Sequence, residues 1–119
     1  MNMKKRFDTV FKDFVVGGEV RWVAAPEVRN EEGLLIKPAD LRPLTLRQAA
    51  LTVLMISDPR EKISGEEKAS RFAVAMKVAQ GKEDSLSIDE LALIKKLIGD
   101  GYNPVVVGQA WELLEGGNK

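Results

Sequence analysis

The sequence contains no cysteine and no histidine. Without thiols a chain has neither disulfides nor thiolate metal sites, and without imidazole it lacks the commonest general base and metal ligand. Aromatic residues make up only 6% of the chain. Apolar residues nowhere run unbroken for the ~18 positions that a membrane-spanning helix requires. We therefore expect no metal, no cofactor and no membrane span.

The charges of the chain cancel. Its 18 basic and 18 acidic residues give a formal net charge of +0, so no overall field attracts nucleic acid or an anionic membrane. The basic start, residues 1–6, is followed by polar and charged positions where a signal peptide would need an apolar stretch. We expect a cytoplasmic protein. A length of 119 residues corresponds to a single domain.

The C-terminal part of the sequence predicts four helices. Three starts place a hydroxyl at the N-cap and a Glu or Gln three residues later, as in a capping box. These starts are Thr45 with Gln48, Ser64 with Glu67, and Ser87 with Glu90. A fourth helix is predicted to begin with Asn103 as its cap and Pro104 at the first helical position. The expected ends are Asp58-Pro59, Gly81, Gly99 to Gly101, and Gly116-Gly117.

Each predicted helix has an apolar stripe at helical spacing. In chain order the expected buried faces are Leu46, Ala49, Ala50, Val53 and Leu54; Ala69, Phe72, Ala73, Met76 and Ala79; Ile88, Leu91, Ile94, Leu97 and Ile98; and Val107, Ala110, Trp111 and Leu114. Capped amphipathic helices with short links indicate a compact helical bundle. We expect residues 44–119 to fold without the N-terminal part.

The first 43 residues predict a β-ribbon and an extended segment. Residues 14–16 and 19–24 form a plausible hairpin around Gly17-Gly18, because paired glycines supply the positive φ of a tight turn. Such a ribbon is marginal alone and must pack on the helices, gain a third strand such as residues 34–36, or meet a partner. The alternative is a short helix, since Phe7, Phe11 and Phe14 also recur at helical spacing.

The predicted fold class is accordingly α+β, mainly α, with an N-terminal hairpin packed on a C-terminal four-helix part. The chain is expected to be a single domain of residues 1–119. Within it, residues 1–43 form the ribbon and extended segment, and residues 44–119 form the helical part.

No motif specifies a chemistry. The segment 79–90 resembles a calcium-binding loop in position only, since its first two ligand positions are Ala79 and Gly81, which have no side-chain oxygen. The fourth helix contains no Lys or Arg, so it is a poor reader of DNA grooves. Phosphate-loop and Ser-x-x-Lys motifs are absent. We expect a protein that is not an enzyme, with no catalytic, cofactor-binding or metal-binding residues.

The best candidate for partner contact is the second half of the predicted hairpin. Tryptophan is over-represented in interface hot spots, because its large apolar ring also has a polar N–H. Trp22 lies on a ribbon of marginal stability, so it either plugs the core or contacts a partner. The candidate partner-binding residues are Val20, Arg21, Trp22 and Val23.

Three stretches carry a resemblance: residues 63–72, residues 87–98 and residues 104–111. They resemble small helical accessory proteins encoded by tailed phages and prophages, and the resemblance covers only the C-terminal part of the chain. It implies no catalytic residue. It implies an intracellular viral protein that binds another phage or host protein, as a factor in virion assembly or as a modulator.

Two other functions remain open. A nucleic-acid-associated regulator would use Lys4, Lys5, Arg6 and Lys12 as a basic N-terminal arm. A structural subunit of a homo-oligomer would need no further partner.

Overall fold

The structure is a computed structural model that describes residues 3–56 and 60–115. It has the predicted α+β, mainly α architecture, with an N-terminal β-ribbon followed by C-terminal helices. In chain order the elements are α1 (Met3–Phe7), β1 (Arg21–Ala25), β2 (Val28–Arg29), β3 (Leu35–Lys37), β4 (Asp40–Pro43), α2 (Leu46–Met55), α3 (Gly65–Ala79), a 3-10 turn (Glu83–Ser85), α4 (Ile88–Gly101) and α5 (Pro104–Leu114). Among the described residues, no helix combines the length and the apolar character needed to cross a bilayer.

The predicted helix starts are confirmed. The side chains of Thr45, Ser64, Ser87 and Asn103 each accept a hydrogen bond from the backbone N–H three residues later, at 3.1 Å. The reciprocal bond of a full capping box forms only at Ser87, whose N–H donates to Glu90 Oε1 at 2.8 Å. α2 ends at Met55, and the predicted stop signals at 58–59 and 116–117 lie outside the described residues.

The predicted buried face of α3 was wrong. The residues that α3 buries are Arg71, Val74, Ala75 and Val78, whereas Phe72 is 52% exposed. Alanines occur on both sides of this helix, so their spacing could not distinguish the two faces, and the larger valines face the core. Arg71 is buried because Glu67 and Glu61 contact its guanidinium at 2.8 and 3.3 Å.

The other stripes are partly correct. α2 buries Leu46, Ala49, Ala50 and Leu54, as predicted. α4 buries Ile94, Leu97 and Ile98, but Ile88 at its first position is 86% exposed. α5 buries Val106, Ala110 and Leu114, so Trp111 lies beside the buried face and is 38% exposed. The prediction that Trp111 is a core residue was wrong.

The predicted first strand of the hairpin, residues 14–16, is a turn instead. Asp13 Oδ1 accepts the N–H groups of Val15 and Val16 at 2.9 Å, and the Gly17 N–H donates to Asp13 O at 2.9 Å. Gly17 and Gly18 do have positive φ, of 99° and 80°. The loop they close is joined by a single bridge between Lys12 and Glu19.

The true partner of β1 is β4, which the sequence indicated only as an extended segment. Trp22 lies opposite Arg42 and Val23 lies opposite Leu41 in this antiparallel pair. The chain between them folds back on itself, because β2 pairs with β3 in a second short hairpin. Both pairs are irregular, with a register shift in each.

Residues 26–39 form a projecting arm. Every residue in this range is exposed, including the apolar Val28, Leu34, Leu35 and Ile36. The Cα radius of gyration is 16.0 Å, larger than the ~13.5 Å that a compact domain of this length would have. The arm therefore contributes to the extended shape of the molecule and contributes no buried residue to its core.

N-terminal residues complete the core between the helices. Phe7 and Phe11 are both 0% exposed and belong to the same cluster as the buried residues of α2 to α5. Three backbone hydrogen bonds fix the base of the ribbon: Phe11 N–H to Leu44 O, Leu44 N–H to Val20 O, and Val20 N–H to Phe11 O, at 2.9, 2.7 and 3.0 Å. The base of the ribbon is thus attached through main-chain groups to the N-terminal segment, whose Phe7 and Phe11 pack in the core.

A buried ion pair joins α2 to the 3-10 turn. Glu83 is 1% exposed, and its Oε1 contacts Arg47 Nη1. Arg47 also donates to Val78 O and pairs with Asp8 at 3.0 Å, and its guanidinium lies 5.9 Å from the Phe7 ring centroid. The turn before α4 therefore contains a buried carboxylate, and its partner Arg47 also contacts Phe7 of α1 and Val78 of α3.

Candidate functional site: an apolar groove at the base of the ribbon

A groove of roughly 510 Å³ lies between β1, the second half of α2 and the end of α4. Its lining consists of Trp22, Val23, Gln48, Leu51, Thr52, Met55, Ile56 and Tyr102. Most of these side chains are apolar. Three of them are strongly exposed, with Val23 at 55%, Met55 at 54% and Ile56 at 68%. Helical spacing along α2 explains part of the lining, since Gln48, Thr52 and Met55 follow one another at intervals of four and three residues.

The polar groups of the groove are bonded to one another. Gln48 Nε2 donates to Thr52 Oγ1 at 3.1 Å. Burial raises the pKa of the Tyr102 hydroxyl above its usual value, and its hydrogen bond with the Thr52 side chain opposes this rise. Tyr102 therefore stays neutral at physiological pH. None of the described residues of the lining has a carboxylate, ammonium or guanidinium group.

This arrangement is suited to apolar recognition. Exposed Met and Ile side chains can contact the apolar side chains of a partner, and the amide and hydroxyl groups of Gln48 and Tyr102 can orient a polar group beside them. The Thr52 hydroxyl bonds the side chains of Gln48 and Tyr102, both of which are neutral.

The structure separates the four predicted partner-binding residues. Trp22 and Val23 line the groove, with Trp22 half-buried against the core and Val23 exposed. Arg21 is exposed on β1 outside the lining. Val20 is half-buried, and both its N–H and its C=O are used at the base of the ribbon, so its backbone has a structural role.

Trp111 occupies a different surface. Its Nε1 donates to Lys95 O at 3.0 Å, and Lys95 Nζ lies 4.5 Å from the ring centroid. Gly99 is also close to the ring, since an added Cβ there would lie 3.0 Å from Trp111 Cζ2. The Trp111 side chain therefore joins α5 to α4.

The residues predicted as a basic arm are not among those that line the groove. Lys4 and Lys5 lie exposed on the five-residue helix α1, and the Arg6 guanidinium contacts Met3 Sδ at 3.7 Å. Lys12 is exposed in the segment whose backbone N–H and C=O bond the Gln109 side chain of α5, at 2.9 and 2.8 Å. Neighbouring Asp8 is paired with Arg47.

No group of three or more carboxylates within the described residues is arranged to hold a metal ion. In the segment 79–90, Glu83 is turned into the core and Glu90 bonds the Ser87 N–H and Lys77 Nζ, the latter at 3.0 Å. Glu83 and Glu90 therefore have structural roles in this part of the fold.

Sequence reasoning missed Met55, Ile56 and Tyr102 as members of the candidate site. Met55 and Ile56 lie beyond the predicted buried stripe of α2, which ends at Leu54. This position could have indicated that both side chains are exposed. Their proximity to Trp22 depends on how β1 crosses α2, which no local pattern reports.

Comparisons of the chain with protein-family models, with curated proteins and with solved structures found no match.

Proposed function

We propose that the chain is a non-enzymatic protein-binding module that holds apolar side chains of a partner protein in the groove at the base of its ribbon. The proposed partner is another phage or host protein in the cytoplasm of a bacterial host. The proposed role is that of an accessory protein in virion assembly or a modulator of host machinery.

The observation that supports this proposal is the exposure of Val23, Met55 and Ile56 around one groove. Contiguous exposed apolar surface costs free energy in water, and in folded proteins it marks contact sites more often than scattered apolar residues do. The groove also includes Trp22, the residue type most enriched among interface hot spots. The resemblance to phage accessory proteins indicates the kind of partner, and the groove is the surface proposed to bind it.

A pull-down from a lysate of the bacterial host tests this proposal, with the captured protein identified by mass spectrometry and then purified for titration calorimetry. Met55→Lys and Ile56→Lys place ammonium groups at the groove, where an apolar partner surface would desolvate them. We expect each variant to weaken binding at least about tenfold, since interface hot-spot changes commonly cost more than 1 kcal/mol.

The matched control is Ile88→Lys. Ile88 is 86% exposed at the start of α4 and does not line the groove, so this change adds the same charge at a distant surface. We expect it to leave the affinity unchanged. Equal weakening by Ile56→Lys and Ile88→Lys, or none by either groove variant, would show that the partner binds elsewhere.

A further inference from the structure

The outer edge of β4 is an open strand edge. β4 pairs with β1 on one side and has no strand on its other side within the described part of the chain. The Leu44 N–H donates to Val20 O, and hydrogen-bonded positions alternate along an antiparallel pair. Leu41 and Pro43 therefore lie at positions whose main-chain groups point away from β1. Pro43 is tolerated there because its missing N–H faces the edge.

The sequence of this edge is complementary to itself. Asp40, Leu41 and Arg42 are an acid, an apolar residue and a base in successive positions. If two copies of β4 pair antiparallel about Leu41, Asp40 of each copy lies opposite Arg42 of the other. Within one chain Arg42 Nη2 bonds Asp40 Oδ2 at 2.9 Å. When two copies pair, each internal ion pair can be replaced by one between Arg42 of one copy and Asp40 of the other. Opposite charges across a strand pair favour that register.

The same pairing joins two exposed apolar residues. Leu41 is 50% exposed and its cross-strand partner Val23 is 55% exposed. Residues opposite each other in a strand pair lie on the same face of the sheet. Pairing about Leu41 places the two Leu41 side chains side by side between the two Val23 side chains, so that one apolar strip crosses all four strands.

We propose that β4 pairs edge to edge with β4 of a second copy of this chain, forming a symmetric dimer with a four-stranded antiparallel sheet. A two-fold axis at Leu41 makes the contact isologous, which is the commonest form of homodimer. The formal net charge of +0 means that no overall repulsion opposes association. The contact uses the β4 edge, so it does not depend on the groove binding a partner.

Sedimentation equilibrium of the full chain over a wide range of concentration tests the dimer. We expect the wild-type chain to show a concentration-dependent dimer. Arg42→Asp makes the edge acid, apolar, acid, and Asp40→Arg makes it base, apolar, base. Because like charges then face each other twice, we expect each variant alone to raise the dimer dissociation constant by about tenfold or more. An equimolar mixture of the two variants should restore a dimer, since each acidic edge then meets a basic one.

The matched control is Arg29→Asp. Glu27, Val28 and Arg29 repeat the acid, apolar, base order farther out along the ribbon, with an ion pair of 3.0 Å, but they lie away from the β4 edge. We expect this variant to dimerise like the wild type. Met55→Lys should also dimerise normally, which separates this test from that of the groove.

Three results would overturn the proposal: a wild-type chain that is monomeric at every concentration, a dimer that neither variant weakens, or a mixture that fails to pair. The rescue in the mixture excludes misfolding of the variants as the cause of dissociation. If the wild-type chain is monomeric, the open edge of β4 would instead be available for a strand of another protein.

Discussion

At the scale of single residues, the contact between Gly99 and Trp111 determines how closely α4 and α5 pack. Glycine inside a helix usually costs stability relative to alanine. Here a Cβ at Gly99 would lie 3.0 Å from the Trp111 ring, which its hydrogen bond to Lys95 O holds in place. The glycine is therefore explained by packing.

This contact predicts opposite effects for two glycine substitutions. Gly99→Ala should destabilise the protein, because the Trp111 ring must move and weaken its bond to Lys95 O. Gly108→Ala, within α5, has no atom within 4 Å of the added Cβ and should stabilise the protein by about 1 kcal/mol. Urea denaturation measures both changes. In a Trp111→Ala background Gly99→Ala should become stabilising as well, and a cost that persists there would show that the ring is not the obstacle.

At the scale of an element, Glu90 makes the stability of the start of α4 depend on pH. Glu90 accepts the Ser87 N–H, and it also accepts a bond from Lys77 Nζ. These contacts lower the pKa of the Glu90 carboxyl below its usual value of 4.5, and the hydrogen bond from the Ser87 backbone is the largest cause. The folded state therefore binds fewer protons than the unfolded state as the pH falls through this range.

In the Glu90→Gln variant, the free energy of unfolding should fall less steeply as the pH becomes acidic. Because the folded pKa is lowered, the stabilisation from Glu90 is fully present above pH 4.5 and is lost as the pH falls through the folded pKa. Urea denaturation between neutral and acidic pH measures this loss. Asn103→Ala is the control: it removes the side-chain cap of α5, where no carboxylate takes part, and should cost about 1 kcal/mol at every pH. Parallel profiles for wild type and Glu90→Gln would contradict the assignment.

At the scale of the whole molecule, the core is shared between the N-terminal segment and the helices. Phe7 and Phe11 are completely buried, and Leu44 at the end of the ribbon is 2% exposed. The sequence predicted that residues 44–119 fold without the N-terminal part, because their helices have their own caps and apolar stripes. The structure gives the opposite expectation, since a fragment of this kind would leave the sites of two phenylalanines empty.

We now expect residues 44–119 alone to lack a cooperative thermal transition. In the full chain Phe11→Ala should cost about 3 to 5 kcal/mol, because it removes a buried ring and leaves a cavity. Circular dichroism with thermal melting measures both. Phe14→Ala is the control, since Phe14 is 73% exposed and its loss should change stability little. A sharp melting transition of the fragment would show that the helices form a sufficient core by themselves.

Much of the helical part could be read from the sequence, because its signals are local. A capping hydroxyl, a proline at the first helical position and a glycine after the last turn act within a few residues, so Ser87, Pro104 and Gly81 marked their elements correctly. The buried face of α2 was also correct. That of α3 was not, because two sides of the helix have similar apolar content and the choice between them depends on what the helix packs against.

The sequence analysis failed mainly at contacts between segments of the chain that are distant in sequence. β1 pairs with β4 and not with residues 14–16, and Arg47 pairs with Glu83, which lies 36 positions later in the sequence. Two of the eight lining residues of the candidate site, Trp22 and Val23, were named in advance as an aromatic with an apolar neighbour. The exposure of Met55 and Ile56 could have been inferred from their position beyond the buried stripe of α2. That they and Tyr102 lie beside β1 could not be inferred, because this proximity exists only in the folded chain.

The sequence by itself determined where the four C-terminal helices begin, the α+β class and the absence of thiol and imidazole chemistry, because composition and capping are local properties. Only the tertiary structure decided which face each helix buries, which strands pair, and that an apolar groove and an open strand edge remain at the surface. These features depend on burial and pairing between distant segments, whose free energies are set by the whole fold.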